Sequence, residues 1–233
     1  SRQADLRVRF FTPEGEVPLC GHATIGTFSV LSAIGKVQPG TYVQETGAGC
    51  LRVQVEADGT VLMEQSKPVF SPAPSREEIA ATLGVEESVL SPELPMEIVS
   101  TGLRDIMVPV RSRAALWAIQ PDFSAVAELS RRWDVVGYHL YTLETMGHAA
   151  AHCRNLAPLY GIPEEAATGT STGALCSLLN RSGKLASGCL MPFEQGYSMG
   201  RPSEILARAE VREGEIQEVW VGGRGMDLDR RTL

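Results

Sequence analysis

The sequence lacks the long apolar runs and the clusters of basic residues that would indicate a membrane or a nucleic acid as partner. No apolar run approaches the roughly 20 residues that span a bilayer. The 233 residues include 21 Lys and Arg against 28 Asp and Glu, a formal net charge of −7. Nucleic-acid surfaces and polybasic membrane patches both need clustered Lys and Arg. Composition therefore predicts a soluble globular protein that binds neither, large enough for one large domain or two small ones.

Paired cysteines are also missing. The five cysteines are odd in number and show no paired spacing, at positions Cys20, Cys50, Cys153, Cys176 and Cys189. Secreted proteins that depend on disulfides usually carry an even set. We therefore expect a reduced, cytoplasmic protein. The given sequence starts at Ser1 rather than Met, so its lack of a signal peptide adds nothing to this expectation.

No spacing of potential ligands predicts a metal site. His148 and His152 are four residues apart, and Cys153 follows them. A zinc site needs three or four ligands in a closed geometry, however, and the sequence shows no second cluster. We interpret these residues as loop and core positions and predict no metal.

What the sequence does contain is one pattern twice. A turn of small residues enters an apolar helix that stops at a Gly-Lys pair, first from Cys20 to Lys36 and again from Thr168 to Lys184. Apolar residues then alternate around Asp58-Gly59 in the first copy and around Glu213-Gly214 in the second, which is typical of a β-hairpin. Without a gap, the two helical segments agree at Gly21/Gly169, Thr24/Thr172, Ser29/Ser177, Leu31/Leu179, Gly35/Gly183 and Lys36/Lys184.

The repeat predicts an α+β fold of two pseudo-symmetric halves, each with strands wrapped around a central helix. Both helices are apolar nearly all round, so we expect both to be enclosed. The Pro- and Ser-rich stretch from Ser88 to Pro95 is the predicted boundary, which gives halves of residues 1–95 and 96–233. Peripheral helices are predicted after the capping box of Ser75 and Glu78 and over Ser124 to Trp133.

The two turns are candidates for binding an anion. A glycine-containing turn at a helix N-terminus exposes unpaired backbone N–H groups beside the positive end of the helix dipole. Two such turns at equivalent positions predict one ligand held between the halves. His and Glu side chains are the usual proton shuttles. The reactive side chains in or just before the turns are Cys20, His22, Glu164, Glu165, Thr168 and Thr170.

Three segments of the chain resemble the hallmarks of the PhzF-like, or phenazine-biosynthesis-like, family. They run from Arg9 to Thr24, from Gly161 to Ser171, and from Gln195 to Ser203 with Val221-Gly222-Gly223 behind it. The resemblance covers most of the given chain. It implies the diaminopimelate-epimerase-like fold of two pseudo-symmetric α/β halves, which agrees with the repeat.

The resemblance also implies a chemistry, namely cofactor-free acid–base isomerisation of a small anionic metabolite, typified by a dihydro-hydroxyanthranilate ring compound. It places functional roles on His22, on Glu165, where the best-known members have Asp, and on Thr170, where they have Ser. We expect Cys20, Gly21, Thr168 and Gly169 to bind the substrate. Homodimers are usual among members, so a homodimer is a further expectation.

One departure from the family leaves alternatives open. The family's principal acid–base residue is a Glu in a Ser-Glu-Thr segment upstream of the first hallmark, and no such segment follows Ser1. We expect roughly 40 to 50 family residues, a strand and a helix with their loops, to be absent from the given chain. The alternatives are a lyase resembling the hydroxyproline dehydratases, which pair one Cys with a Thr, and a metabolite-binding protein without turnover. A two-thiol racemase is disfavoured because Thr168 stands where its second Cys would be.

Overall fold

The chain divides into two compact units, one of which is assembled from two separate stretches of sequence. A computed structural model describes residues 3–12 and 15–225. The first unit comprises residues 1–64 and 220–233, and the second comprises residues 65–219. The predicted boundary between residues 95 and 96 falls inside the second unit, because the strands on either side of it, Val69–Pro72 and Glu97–Ser100, pair with each other.

The first unit combines a helix with a mostly antiparallel sheet. The elements are β1 (Leu6–Arg7), β2 (Phe10–Thr12), β3 (Gly15–Val17), α1 (Gly21–Ala33), β4 (Gly40–Thr46), β5 (Gly49–Val55) and β6 (Val61–Gln65). The order in this sheet is β1, β4, β5, β6, followed by residues 220–223 beside β6, while β2 and β3 form a separate hairpin. A side chain at Gly222 would collide with the Val61 carbonyl, 1.8 Å from the position of a Cβ, so close pairing there requires glycine.

Helix α1 packs on this sheet through one face. Phe28 is fully buried against apolar side chains of β5 and β6, and its ring contacts Tyr42 of β4. Val30 and Ile34 on the other side are 44% and 55% exposed. The strands that the structure describes cover only the face of α1 that carries Phe28. Within this part of the chain, the prediction of an enclosed helix was therefore wrong.

The second unit contains a longer sheet with helices on both faces. The elements are β7 (Val69–Pro72), α2 (Arg76–Thr82), β8 (Glu97–Ser100), β9 (Arg104–Pro109), α3 (Arg113–Ala118), α4 (Phe123–Arg132), β10 (Gly137–Thr142), β11 (His152–Ala157), β12 (Ile162–Glu165), α5 (Gly169–Arg181), β13 (Met191–Gln195), β14 (Ser203–Arg212) and β15 (Glu215–Gly223), of which residues 215–219 belong to this unit. The strands follow the order β14, β13, β11, β10, β9, β8, β7, with β12 paired to β11 and with β15 beside β14.

Buried residues pack on both faces of the middle of this sheet. Alternate residues of β9 and β10, among them Ile106 and Tyr138, point into an apolar cluster with α2 and α4. The other face of the sheet lies under α5, whose residues from Ser171 to Leu179 are all buried, as the prediction of an enclosed helix required. Both predicted peripheral helices are confirmed as α2, with its capping box at Ser75, and α4.

The ends of the two repeated helices confirm the duplication. Helices α1 and α5 are each 13 residues long. Behind them Gly35 and Gly183 have left-handed φ angles of 71° and 70°, a conformation that glycine adopts without strain. The N–H of the following lysine returns to a carbonyl five residues earlier, at 2.8 Å in both copies.

The surrounding strands repeat as well. A strand that precedes the helix pairs in parallel with the strand that follows it, β1 with β4 and β11 with β13. The hairpins predicted after each helix are β5 with β6 and β14 with β15. Within the described part of the chain, no helix is both long and apolar enough to cross a membrane.

Candidate active site

The first predicted turn places a thiol against an imidazole at the start of α1. Cys20 is the N-cap residue, and its carbonyl accepts hydrogen bonds from both the backbone N–H and the hydroxyl of Thr24, each at 3.0 Å. The Cys20 Sγ lies 3.4 Å from Nε2 of His22. His22 is exposed and Cys20 is half-buried, so solvent reaches this pair.

The second predicted turn repeats this backbone geometry at the start of α5. Thr168 is the N-cap residue, and its carbonyl accepts from the N–H and the hydroxyl of Thr172 at 3.1 and 2.9 Å. Neither Cys20 nor Thr168 caps its helix with its own side chain. The first-turn N–H groups of both helices therefore keep the free donors that make a helix N-terminus attract anions.

Glu165 is held beside the second turn by hydrogen bonds. The Thr168 hydroxyl donates to Oε2 of Glu165 at 2.6 Å. The carboxamide of Gln195, a residue 1% exposed, donates to the Glu165 carbonyl at 2.7 Å and to the Thr168 hydroxyl at 3.1 Å. Glu165 itself is half-buried. A partly exposed carboxylate thus lies next to a helix N-terminus.

The neighbouring carboxylate, Glu164, is engaged elsewhere. It forms a two-pronged ion pair with Arg154, with both N–O distances at 2.9 Å, and it accepts a hydrogen bond from Ser198. Arg154 is 6% exposed and also donates to the carbonyls of Leu116 and Ile119. Breaking a buried pair of this kind leaves an uncompensated charge, so Glu164 has a structural role.

Thr170 lies in the first turn of α5. Its backbone carbonyl accepts a hydrogen bond from the hydroxyl of Thr101 at 3.0 Å. The side-chain hydroxyl of Thr170 forms no hydrogen bond with any described residue, and Thr170 is half-buried. The hydroxyl of Thr170 is therefore free to bind a ligand at this helix start.

Asp105 is a buried acid under the same helix that sequence reasoning missed. It is 1% exposed on β9, and the Ser171 hydroxyl donates to its Oδ2 at 2.5 Å. Its pKa is raised to about 6. Burial is the main cause and the Glu165 charge adds to it, while the hydrogen bonds from the Ser171 hydroxyl and the Gly137 N–H lower the pKa. The sequence signal was an acidic residue next to the alternating apolar residues of β9.

Of the residues considered for zinc, His152 is held by other side chains. His152 is fully buried, with Nδ1 bonded to Glu194 at 2.6 Å and Nε2 accepting from Trp117 at 2.9 Å. Across residues 3–12 and 15–225, no three His, Cys, Asp or Glu side chains cluster in a way that could hold a metal ion.

A separate groove lies at the other end of α5. Its volume is about 500 Å³, and its lining includes Lys67, Phe70, Arg181 and Glu215. Arg181 is in the last turn of α5, roughly 18 Å from the first turn at 1.5 Å per residue. This groove is therefore distinct from the candidate site.

Comparison with known proteins decides the family. The model of the family described as "Phenazine biosynthesis-like protein" matches residues 1–229. The chain belongs to this family. The PhzF-like resemblance of its three hallmark segments is thereby confirmed.

Curated relatives in the family are named isomerases. A protein of Deinococcus radiodurans named "uncharacterized isomerase" is 36% identical, over 93% of this chain and 73% of its own length. The trans-2,3-dihydro-3-hydroxyanthranilate isomerase of Pseudomonas chlororaphis is 32% identical, over 98% of this chain and 79% of its own length.

Solved structures support the fold. The crystal structure of a phenazine biosynthesis protein of the PhzF family from Bacillus anthracis has a TM-score of 0.83 at 27% identity, covering 96% of this chain and 79% of that one. A hydroxyproline epimerase of Agrobacterium vitis shares the fold alone, with a TM-score of 0.60 at 13% identity over 96% of this chain and 69% of that one. The predicted diaminopimelate-epimerase-like α+β fold is confirmed. The roles assigned to His22, Glu165, Thr170 and the two turns stay predictions.

Proposed function

We propose that this protein is an isomerase that moves a proton on a small anionic, amino-acid-like metabolite, with Glu165 as an acid–base group. The observation that carries the proposal is the Glu165 carboxylate, which accepts the Thr168 hydroxyl at 2.6 Å beside the uncapped start of α5. Membership of a family whose relatives are named isomerases supports it.

The two parts of this arrangement suit the two requirements of the reaction. Free N–H groups at a helix start bind the acidic group of a substrate and so orient it. The proton moves from one carbon to another, and the Glu165 carboxylate assists the family's principal glutamate in this transfer, so the atoms balance without an oxidant or a further reactant. In the proposal Gly169 and Thr168 bind the substrate through α5, and Thr170 supplies a hydroxyl.

The first turn supplies the remaining proposed groups. Its His22 is a second proton-transfer group, and Cys20 and Gly21 bind substrate through the start of α1. The contact of 3.4 Å between the Cys20 thiol and the His22 ring supports a role that involves both. The proposal needs neither a metal nor a cofactor, because carboxylate and imidazole side chains transfer protons themselves.

The substrate class follows from the relative named trans-2,3-dihydro-3-hydroxyanthranilate isomerase. That compound carries a carboxylate and an amino group, and a helix N-terminus binds a carboxylate.

We further propose a cytoplasmic homodimer. All five cysteines are free thiols, which is consistent with a reducing compartment, and sedimentation analysis tests the oligomeric state.

The test is an isomerisation assay in deuterated water with trans-2,3-dihydro-3-hydroxyanthranilate, followed by NMR. We expect turnover with deuterium incorporation at the protonated carbon. Glu165→Gln should lower kcat by roughly 10²- to 10⁴-fold, the usual contribution of a positioned acid–base group. Glu77→Gln, which neutralises an exposed carboxylate on α2, is the matched control and should retain full activity.

The same assay separates the alternatives. Equal activity of Glu165→Gln and Glu77→Gln would remove Glu165 from the mechanism. Release of water from a hydroxyproline, without isomerisation of the ring compound, would favour a lyase. Binding of the ring compound without any turnover would favour a metabolite-binding protein.

A further inference from the structure

Gln195 is a buried glutamine that makes three hydrogen bonds to the segment leading into α5. It ends β13 and is 1% exposed. Its Nε2 donates to the Glu165 carbonyl at 2.7 Å and to the Thr168 hydroxyl at 3.1 Å, and its Oε1 accepts from the Thr168 N–H at 3.3 Å. The nitrogen of this amide therefore binds both ends of the segment from Glu165 to Thr168, and its oxygen binds the Thr168 end again.

These bonds determine the direction of the hydroxyl. A carboxamide nitrogen can only donate, so the Thr168 oxygen accepts from Gln195. The single hydrogen of the hydroxyl is then left for its other neighbour, Oε2 of Glu165, which accepts when ionised. The result is a chain of donors that runs from Gln195 through Thr168 to the carboxylate.

The first unit also has a buried glutamine on the strand that follows its helix, but no such chain. Gln44 lies on β4, which pairs with the strand before α1 just as β13 pairs with the strand before α5. It is also fully buried, yet its side-chain amide has no hydrogen-bonding partner among the described residues. The bonding of Gln195 is therefore a feature of the half that carries Glu165, not of the repeated fold.

We propose that Gln195 is a positioning residue, which orients the Thr168 hydroxyl and through it holds the Glu165 carboxylate in the geometry that proton transfer needs. This inference rests on the function proposed for Glu165. Gln195 itself is not proposed to touch the substrate. It acts on the Glu165 carboxylate through the Thr168 hydroxyl, while its bond to the Glu165 carbonyl holds the backbone of the same residue.

The kinetic test uses Gln195→Met, which keeps the shape of the side chain and removes its amide. We expect kcat to fall roughly 10- to 100-fold, as slight misplacement of a catalytic group does, while KM changes less than about 2-fold. Thr168→Val should behave alike and Thr168→Ser should recover activity, since serine keeps the hydroxyl. Because both variants break the hydrogen bond between the Gln195 amide and the Thr168 hydroxyl, their losses of kcat should be less than additive in the double variant.

The control is Thr82→Val, which removes another buried hydroxyl of the second unit, one bonded to the Ile79 carbonyl and to Tyr138. It should lower the melting temperature as Gln195→Met does but leave kcat unchanged. A matching loss of kcat in Thr82→Val, or fully additive losses in the double variant, would overturn the proposal.

A second readout does not depend on turnover. The ¹³C resonance of the Glu165 carboxyl, identified by its absence in Glu165→Gln, should shift in Gln195→Met and in Thr168→Val at one fixed pH, but not in Thr82→Val. An unmoved resonance in Gln195→Met refutes the positioning role even if the protein proves to be an isomerase. A shifted resonance in a protein without turnover supports the hydrogen-bond chain and refutes only the proposed function.

Discussion

The stability contributions of two buried residues of the second unit depend on pH in opposite directions. Asp105 has a pKa raised to about 6 by burial, and His139 has a pKa lowered to about 4, also by burial. The contribution of Asp105 to stability is full below about pH 4, where the carboxyl is protonated in both the folded and the unfolded chain. It is lost as pH rises through 6. The lowered pKa of His139 acts inversely, since its contribution is full above pH 6.5 and is lost as pH falls toward 4.

Removing the charge of Asp105 should stabilise the protein only at a pH where the wild-type carboxyl is ionised. Asp105→Asn keeps an acceptor for the Ser171 hydroxyl but cannot ionise. At pH 7.5 we expect its free energy of unfolding to exceed that of the wild type by on the order of 1–3 kcal/mol. At pH 4.5 we expect no gain in stability. Urea unfolding at both pH values measures the difference.

The matched control for this prediction is Asp134→Asn, which neutralises a side chain that is 92% exposed. Its backbone φ of 52° suits asparagine as well as aspartate. It should change stability little at either pH. A gain in Asp105→Asn of equal size at both pH values would show that the buried charge is not the cause.

At the candidate site, the types of residue were predictable from the sequence, but the contacts that each residue makes were not. Glu164 and Glu165 are adjacent, and only Arg154, ten residues away on the neighbouring strand, decides that the first is in an ion pair. Asp105 and Gln195 were missed because their partners lie 66 and 27 residues away in the sequence. Local patterns identify donors and acids, whereas pairing over such separations depends on the sheet.

At the scale of elements, the loop into α5 depends on a glycine. Gly196 follows Gln195 with a φ of 82°, and a Cβ there would lie 2.3 Å from the Arg201 carbonyl oxygen and 2.8 Å from that of Ala166. Ala166 belongs to the segment between Glu165 and Thr168. The turn after β13 can therefore approach this segment only without a side chain.

Gly196→Ala should disturb this segment more than backbone strain alone would. Gly161→Ala is the control, because Gly161 has a similar φ of 75° but nothing within 4 Å of an added Cβ. We expect Gly161→Ala to lose about 1 kcal/mol of stability and Gly196→Ala roughly 2–4 kcal/mol. Hydrogen exchange of the Thr168 N–H should accelerate only in Gly196→Ala. Equal losses in the two variants would mean that the loop relaxes around the added methyl group.

The elements themselves were largely predictable from spacing. The matched Gly-Lys stops, the turn residues and the alternating strands located both repeated helices and both hairpins, because these are local signals. The exposure of Val30 and Ile34 was not predictable, since a uniformly apolar helix does not reveal which side its strands cover.

At the scale of the molecule, the net charge of −7 opposes the approach of the proposed anionic substrate. The helix starts act only over short distances, whereas the summed charge acts over the Debye length, about 10 Å at 0.1 M salt. Added salt should therefore lower KM, or leave it nearly unchanged, between 20 and 200 mM NaCl. Steady-state kinetics over this range measures the effect, and a steep rise in KM would show that surface cations attract the substrate instead.

The assembly of the first unit from two separate stretches of sequence has a consequence for its folding during synthesis. Residues 65–219 form a continuous stretch, whereas the first unit needs residues 220–223 beside β6. A ribosome releases the N-terminal part of the chain first. The first unit must therefore wait with the open edge of β6 unpaired until the whole of the second unit has been translated, and a chaperone that shields strand edges would act in that interval.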